Sequence, residues 1–297
     1  MSSIYSKLSL ALLIVLVYGN TIFNTFHFDD IPSILEKPWI RGLDKIPQFI
    51  FSFFQRPLVI LSFNLNYSIS KFEVWSYHIF NILFHIIATL LVYKLVQQII
   101  FFLKKISNKN NFHLFSWPYF SALVFALHPL STQSVTYISS RSSILATIFY
   151  ILALILFLKG FNERSFNEKP TRFYFYGSSL FFFFGVLTKE IIITFPASLF
   201  IFHFYFIWEK SFGKWISVFG KWLLLLLIPI FAGVAYKQLV GGGFLAASSA
   251  ELSSSAWFLT QTSVVPFEYF RKFLFPFNLN LDINFPILKN WLNPKIG

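Results

Sequence analysis

The chain has 297 residues, of which 56% are hydrophobic and 12% charged, with a mean hydropathy of +0.64; a soluble domain carries about 25% charged residues, so a water-facing globule is excluded. The net charge of +12 would point to nucleic acid in a soluble chain, but the basic residues stand in short loops between apolar runs, as the positive-inside rule predicts for a membrane protein, and no nucleic-acid partner is expected. The chain has no cysteine, which excludes disulfides and thiolate metal sites.

A membrane span needs about 20 mostly apolar residues. In chain order the runs 5–26, 76–103, 117–133, 142–160, 173–187, 191–208 and 222–239 read as spans. Lys7 and the apolar run after it resemble a signal peptide, but no small-residue cleavage pattern follows, so the first run reads as a retained anchor. The piece 58–69 is short and carries Asn64 and Asn66; the piece 256–275 is interrupted by Gln261, Pro266, Glu268, Arg271 and Lys272. Both are predicted to lie at the interface or re-enter the membrane. The expected fold is an all-α integral membrane protein: one domain over 1–297, a polytopic bundle of about seven to eight spans, with interfacial helices on the outer side.

Charge sets the orientation. With the N-terminus inside, the inner loops hold Lys104, Lys105 and Lys109, then Arg164, Lys169 and Arg172, then Lys210, Lys214 and Lys221. The outer loop 27–75 balances Asp29, Asp30, Glu36, Asp44 and Glu73 against Lys37, Arg41, Lys45, Arg56 and Lys71. Asp29-Asp30, His78, His128, Arg141 and Lys189-Glu190 then all fall on the outer side, and ionisable residues at membrane depth are functional candidates by default.

Each candidate has a chemical and a structural reading. Adjacent carboxylates at a low-dielectric boundary resist double ionisation, which suits Asp29-Asp30 to general-base work; equally, Asp30-Ile31-Pro32 reads as a helix N-cap. His27 with the pair makes a weak metal motif. Arg56 can grip a phosphate bidentately or simply snorkel. His78, Asn81 and His85 share one helix face, where polar groups often bond neighbouring helices. His128-Pro129 opens a polar break running to Arg141, whose hydroxyls and guanidinium suit a phosphate or sugar. Lys189-Glu190 is either a buried ion pair or a phosphate-binding lysine steadied by its neighbour. No internal repeat and no Walker, GxGxxG, nucleophile-elbow or HExxH motif is present.

These motifs in order — Phe28-Asp29-Asp30, Arg56-Pro57-Leu58 with Asn66-Tyr67, Tyr77-His78-Ile79-Phe80-Asn81 with His85, Leu127-His128-Pro129, Tyr137 to Ser142, Thr188-Lys189-Glu190, Pro196 — resemble the membrane half of the transmembrane-and-tetratricopeptide-repeat O-mannosyltransferases. Residues 269–282 resemble that family's later segment. The family is of the C-type (GT-C) glycosyltransferase fold, and its members continue into a repeat domain that this chain lacks, so the chain reads as shortened relative to it. The resemblance implies transfer of mannose or another hexose from a polyprenyl-phosphate donor to a hydroxyl on protein, glycan or lipid, with inversion and without a metal or other cofactor. It implies Asp29 and Asp30 as catalytic carboxylates, and Arg56, His78, His128, Arg141, Lys189 and Glu190 as donor-binding residues. The expected location is a bacterial inner membrane with the active side periplasmic. The rival readings are a transporter or flippase for an anionic lipid or solute, and a non-catalytic membrane subunit.

Overall fold

A computed structural model describes residues 3–42, 56–107, 116–162, 172–206, 220, 258 and 260–279. The chain forms two compact units, Met1–Tyr236 and Lys237–Gly297. The predicted span 222–239 lies outside the described residues.

In the first unit α1 (Ser3–Tyr18) continues into a 3-10 turn, Gly19–Phe23. Short π and 3-10 turns follow at Ile31–Leu35 and Pro38–Ile40. Then come α2 (Pro57–Ser70), α3 (Val74–Ser107), α4 (Ser116–Leu127), α5 (Pro129–Thr136), α6 (Arg141–Asn162), α7 (Arg172–Val186) and α8 (Phe195–Phe206). No described residue is in a strand. Stretches 4–23, 75–103 and 138–160 are long and apolar enough to cross a membrane, and these make the chain a membrane protein. Shorter apolar helices occupy 117–127, 173–186 and 190–202. The described residues thus supply three helices of spanning length toward the seven to eight expected.

The burial pattern is that of a helix between protein and lipid. On α1, Leu10, Ile14 and Tyr18 are buried, while Ile4, Leu8, Leu12 and Leu16 on the other face are exposed. A soluble helix would carry charge on that second face; here both faces are apolar, and only the inner one meets neighbouring helices. Ala122 and Ala126 on α4 are fully buried. Their small side chains let α1 and α3 approach closely, as is common where helices pack in lipid.

The run 117–133, expected as one span, is broken at His128, and the reason is local. Pro129 has no N–H, so the Phe125 carbonyl loses its helical partner; the Ser131 hydroxyl donates to it instead at 2.9 Å. The Ala126 carbonyl, also left over, accepts from the Tyr18 hydroxyl at 3.2 Å and from His85 Nε2 at 3.0 Å. A carbonyl only accepts, so His85 carries its proton on Nε2. The break thereby ties α1, α3 and α4 together. His85 here bonds a neighbouring helix.

Arg141, the first residue of α6, is 0% exposed. Its guanidinium donates from Nε to Asn81 Oδ1 at 2.7 Å, to Asn66 Oδ1, to Ser62 Oγ at 3.3 Å, and to the Tyr77 carbonyl at 2.9 Å. Its carbon sits 4.5 Å from the Phe63 ring centroid. It therefore joins α2, α3 and α6 at one end of the bundle. Asn66 passes the chain of bonds on to Ser76, and Ser76 to Ser70. Asn64 on the same helix donates to the Trp39 and Gly42 carbonyls, holding the 38–42 segment down. The two asparagines that make α2 look too polar for a span are what bind it to its neighbours.

Replacing Arg141 leaves the side-chain carbonyls of Asn66 and Asn81 buried and unpaired, which costs about 1–3 kcal/mol for each. Arg141→Leu and Arg141→Lys are both expected to lower the thermal midpoint of the detergent-solubilised chain, because one ammonium cannot reach acceptors set out for a planar fork. Wild-type melting of Arg141→Lys would refute the need for the fork.

Candidate active site

At the same end of the bundle as Arg141 a cavity of about 670 Å3 is lined by Asp29, Lys37, Arg56, Tyr137, Ser139, Lys189 and Glu190, among others. Four separate stretches of chain supply these groups: the turns after α1, the start of α2, the break before α6 and the break after α7. Of the residues expected in the site, Asp29, Arg56, Lys189 and Glu190 line the cavity; Asp30, His78, His128 and Arg141 are placed elsewhere.

The two carboxylates part company. Asp30 is 1% exposed. Its Oδ1 accepts from the Ser139 N–H at 2.7 Å and the Ser139 hydroxyl at 2.6 Å, and its Oδ2 accepts from the His27 N–H at 3.1 Å. It makes no N-cap bond to the turn it precedes, contrary to the capping reading; the same oxygens stitch the 27–30 turn to the 138–140 turn instead. Asp29 is exposed and contributes to the cavity wall. Its backbone N–H donates to the Tyr137 hydroxyl at 2.8 Å. Phe28, just before it, holds a left-handed φ of 45°, a conformation that costs a non-glycine residue about 1–3 kcal/mol. The turn is therefore held by its surroundings. Among the described residues no three His, Cys, Asp or Glu side chains converge as a metal site, His27, Asp29 and Asp30 included.

The cations also differ. Arg56 stands before Pro57 with φ 55° and ψ 62°, and its guanidinium pairs with Glu190 at 3.1 Å. Both side chains are substantially exposed, 42% and 76%, so the pair contributes about 0–1 kcal/mol. An incoming phosphate can displace it. Of the two readings of Lys189-Glu190 the ion pair does not form: Lys189 Nζ donates to Ser143 Oγ at 2.7 Å, and Glu190 has Arg56. Burial first, and then the Arg56 charge, hold Lys189 below the ordinary lysine range, with Glu190 opposing. Lys37 is lowered by the same two causes. An anion bound among these three would favour their charged forms.

Of the remaining candidates His128 and Arg141 have structural duties, whereas among the described residues neither ring nitrogen of His78 is hydrogen-bonded. His128 Nδ1 accepts the Leu130 N–H at 3.2 Å and caps α5. His78 is fully buried in α3, and Arg141 is committed as described. Lys37, Tyr137 and Ser139 are the cavity groups that sequence reasoning passed over as individuals. Tyr137 and Ser139 stood inside the polar run before Arg141, which was the available signal; Lys37 had none beyond its charge.

The division of labour between the carboxylates is testable on stability. Asp30→Asn, which loses charge-assisted bonds to Ser139 and His27, is expected to destabilise the solubilised chain by about 1.5–3 kcal/mol. Asp29→Asn is expected to leave the melting temperature within experimental error of wild type. Equal destabilisation by the two would contradict their separate roles.

No family model and no solved structure matches the chain. Curated relatives do. It is 31% identical over 169 residues to Protein O-mannosyl-transferase F38B6.6 of Caenorhabditis elegans, covering 52% of this chain and 23% of that protein. It is 32% identical over 153 residues to Protein O-mannosyl-transferase TMTC2 of Homo sapiens, covering 50% and 17%. It is 28% identical over 155 residues to Protein O-mannosyl-transferase TMTC3 of Mus musculus, covering 48% and 15%. The chain spans less than a quarter of the length of these relatives. About half of the chain is similar in sequence to protein O-mannosyl-transferases.

Proposed function

We propose that the chain is the membrane catalytic part of a GT-C type sugar transferase that moves mannose or another hexose from a polyprenyl phosphate to a hydroxyl acceptor. The observation that carries this reading is the cavity itself: two exposed carboxylates, Asp29 and the Arg56 partner Glu190, line it together with cations of which Arg56 is only weakly engaged. The similarity to O-mannosyl-transferases supports the same chemistry.

In this mechanism the acceptor oxygen attacks the anomeric carbon. Asp29 takes the hydroxyl proton as the new bond forms. The lipid phosphate leaves from the opposite face with the bonding electrons, so the anomeric centre inverts. Negative charge grows on the departing phosphate, and Arg56 and Lys189, with Lys37 beside them, stabilise it as it develops. Glu190 holds Arg56 in place until the donor arrives. A lipid-linked donor accounts for a site at the end of a helix bundle. The charge asymmetry of the loops supports a non-cytoplasmic face for that end. Asp30, His78, His128 and Arg141 act in this reading through the scaffold and not on the substrate.

Membranes containing the full chain, given labelled polyprenyl-phosphate mannose and a hydroxyl acceptor, are expected to show transfer that Asp29→Asn lowers by about a hundredfold or more. Arg56→Gln and Lys189→Gln are expected to lower it by about ten- to a hundredfold. Asp29→Asn with more than half of wild-type transfer at matched expression would remove Asp29 from the chemistry.

A further inference from the structure

Lys189 brings to the cavity an ammonium that no carboxylate neutralises. Glu190, next in the chain, is bonded to Arg56, and Lys189 Nζ donates instead to Ser143 Oγ at 2.7 Å, 46 positions away. Among the described residues the ammonium has no other hydrogen bond and no ion pair. An ammonium carries three N–H donors, so the remaining ones are available to an incoming anion.

Both partners stand on backbone that is held. Ser143 lies in the first turn of α6, two positions after Arg141, whose guanidinium bonds side chains of both α2 and α3. The Ser143 carbonyl accepts from the Thr147 hydroxyl at 2.8 Å. On the other side the Lys189 N–H donates to the Gly185 carbonyl at 3.2 Å. The Leu187 carbonyl accepts at 3.4 Å from the N–H of Leu58, two residues after Arg56. What the backbone leaves loose is the lysine stem, whose rotamer freedom must be given up when its charge is fixed on a ligand. The Ser143 contact restricts that freedom before the ligand arrives, which is the way preorganisation raises affinity.

A hydroxyl suits this work better than a carboxylate does. An acidic partner would hold the ammonium but neutralise it, and an arriving phosphate would have to break the ion pair. A neutral acceptor holds the group and leaves its charge in force. Ser140 and Ser142 line the cavity and Ser143 does not, so its effect on a ligand passes through Lys189. Resting on the reading of this cavity as the donor site, we propose that Ser143 is the positioning residue of Lys189: its hydroxyl oxygen holds the ammonium, with its charge unneutralised, where it meets the phosphate of the lipid-linked donor.

Binding of sugar-free polyprenyl phosphate to the full chain in detergent micelles tests this without any transfer step. Ser143→Ala is expected to weaken binding about five- to tenfold, and Ser143→Thr, which keeps a hydroxyl, to stay within about twofold of wild type. Lys189→Met is expected to weaken binding about tenfold or more, since a charge-assisted bond to phosphate is lost. In that background Ser143→Ala is expected to change nothing further, because the two residues act as one unit. Equal weakening by Ser143→Ala with and without Lys189 would be a general structural effect and overturns the proposal, as does wild-type affinity in Ser143→Ala. A wild-type chain that binds no polyprenyl phosphate overturns it together with the donor site. Coupled loss of binding in a chain that transfers no sugar from polyprenyl-phosphate mannose sinks the transferase reading alone and leaves Ser143 as the positioning residue of a phosphate-binding lysine.

Discussion

The architecture of the cavity end depends on one buried charge. Arg141 has no exposed surface, and a guanidinium at membrane depth is costly unless its donors are met. Asn66, Asn81, Ser62 and the Tyr77 carbonyl meet them from two helices, while Phe63 lies against the carbon of the group. The arrangement fixes one guanidinium against side chains of both helices. It sets where α6 begins, and hence where the Ile138–Ser140 turn that receives Asp30 must lie.

From that anchor the site is assembled outward in order of decreasing commitment. Asp30 is buried and uses both oxygens on neighbouring chain. Asp29, next in sequence, is exposed and keeps its carboxylate at the cavity. The cations repeat the contrast: Arg141 is buried among fixed acceptors, whereas Arg56 holds a solvent-exposed partner worth about 0–1 kcal/mol. A group that must bind and release an anion needs the second kind of interaction. A group that must hold three helices together needs the first.

The aromatic-rich packing has a matching logic. Around α6, α7 and α8 the buried cluster includes Phe157, Phe175, Phe182 and Phe195. Phe182 and Phe195 stack with centroids 5.4 Å apart. Gly185 sits where an added Cβ would lie 2.5 Å from Ile192, so the close turn that presents Lys189 and Glu190 depends on a residue with no side chain.

Hydropathy by itself determined that the chain is helical and lies in a membrane, because a bilayer admits only backbone whose polar groups are internally satisfied and because 12% charge cannot coat a soluble surface. The ordered motifs also located the polar break at His128-Pro129 and the stretches that converge on the cavity. What sequence could not decide was which polar residue does which work. Asp29 and Asp30 are adjacent and alike, and only the bonds of Asp30 to Ser139 and His27 separate them. Arg56 and Arg141 carry the same charge, and only burial tells the cation with an exposed partner from the structural one. Asn64 and Asn66 looked like flaws in a short apolar helix until their partners, 22 to 75 positions away, were in place. These distinctions rest on contacts between residues far apart in the chain, and no local pattern encodes them.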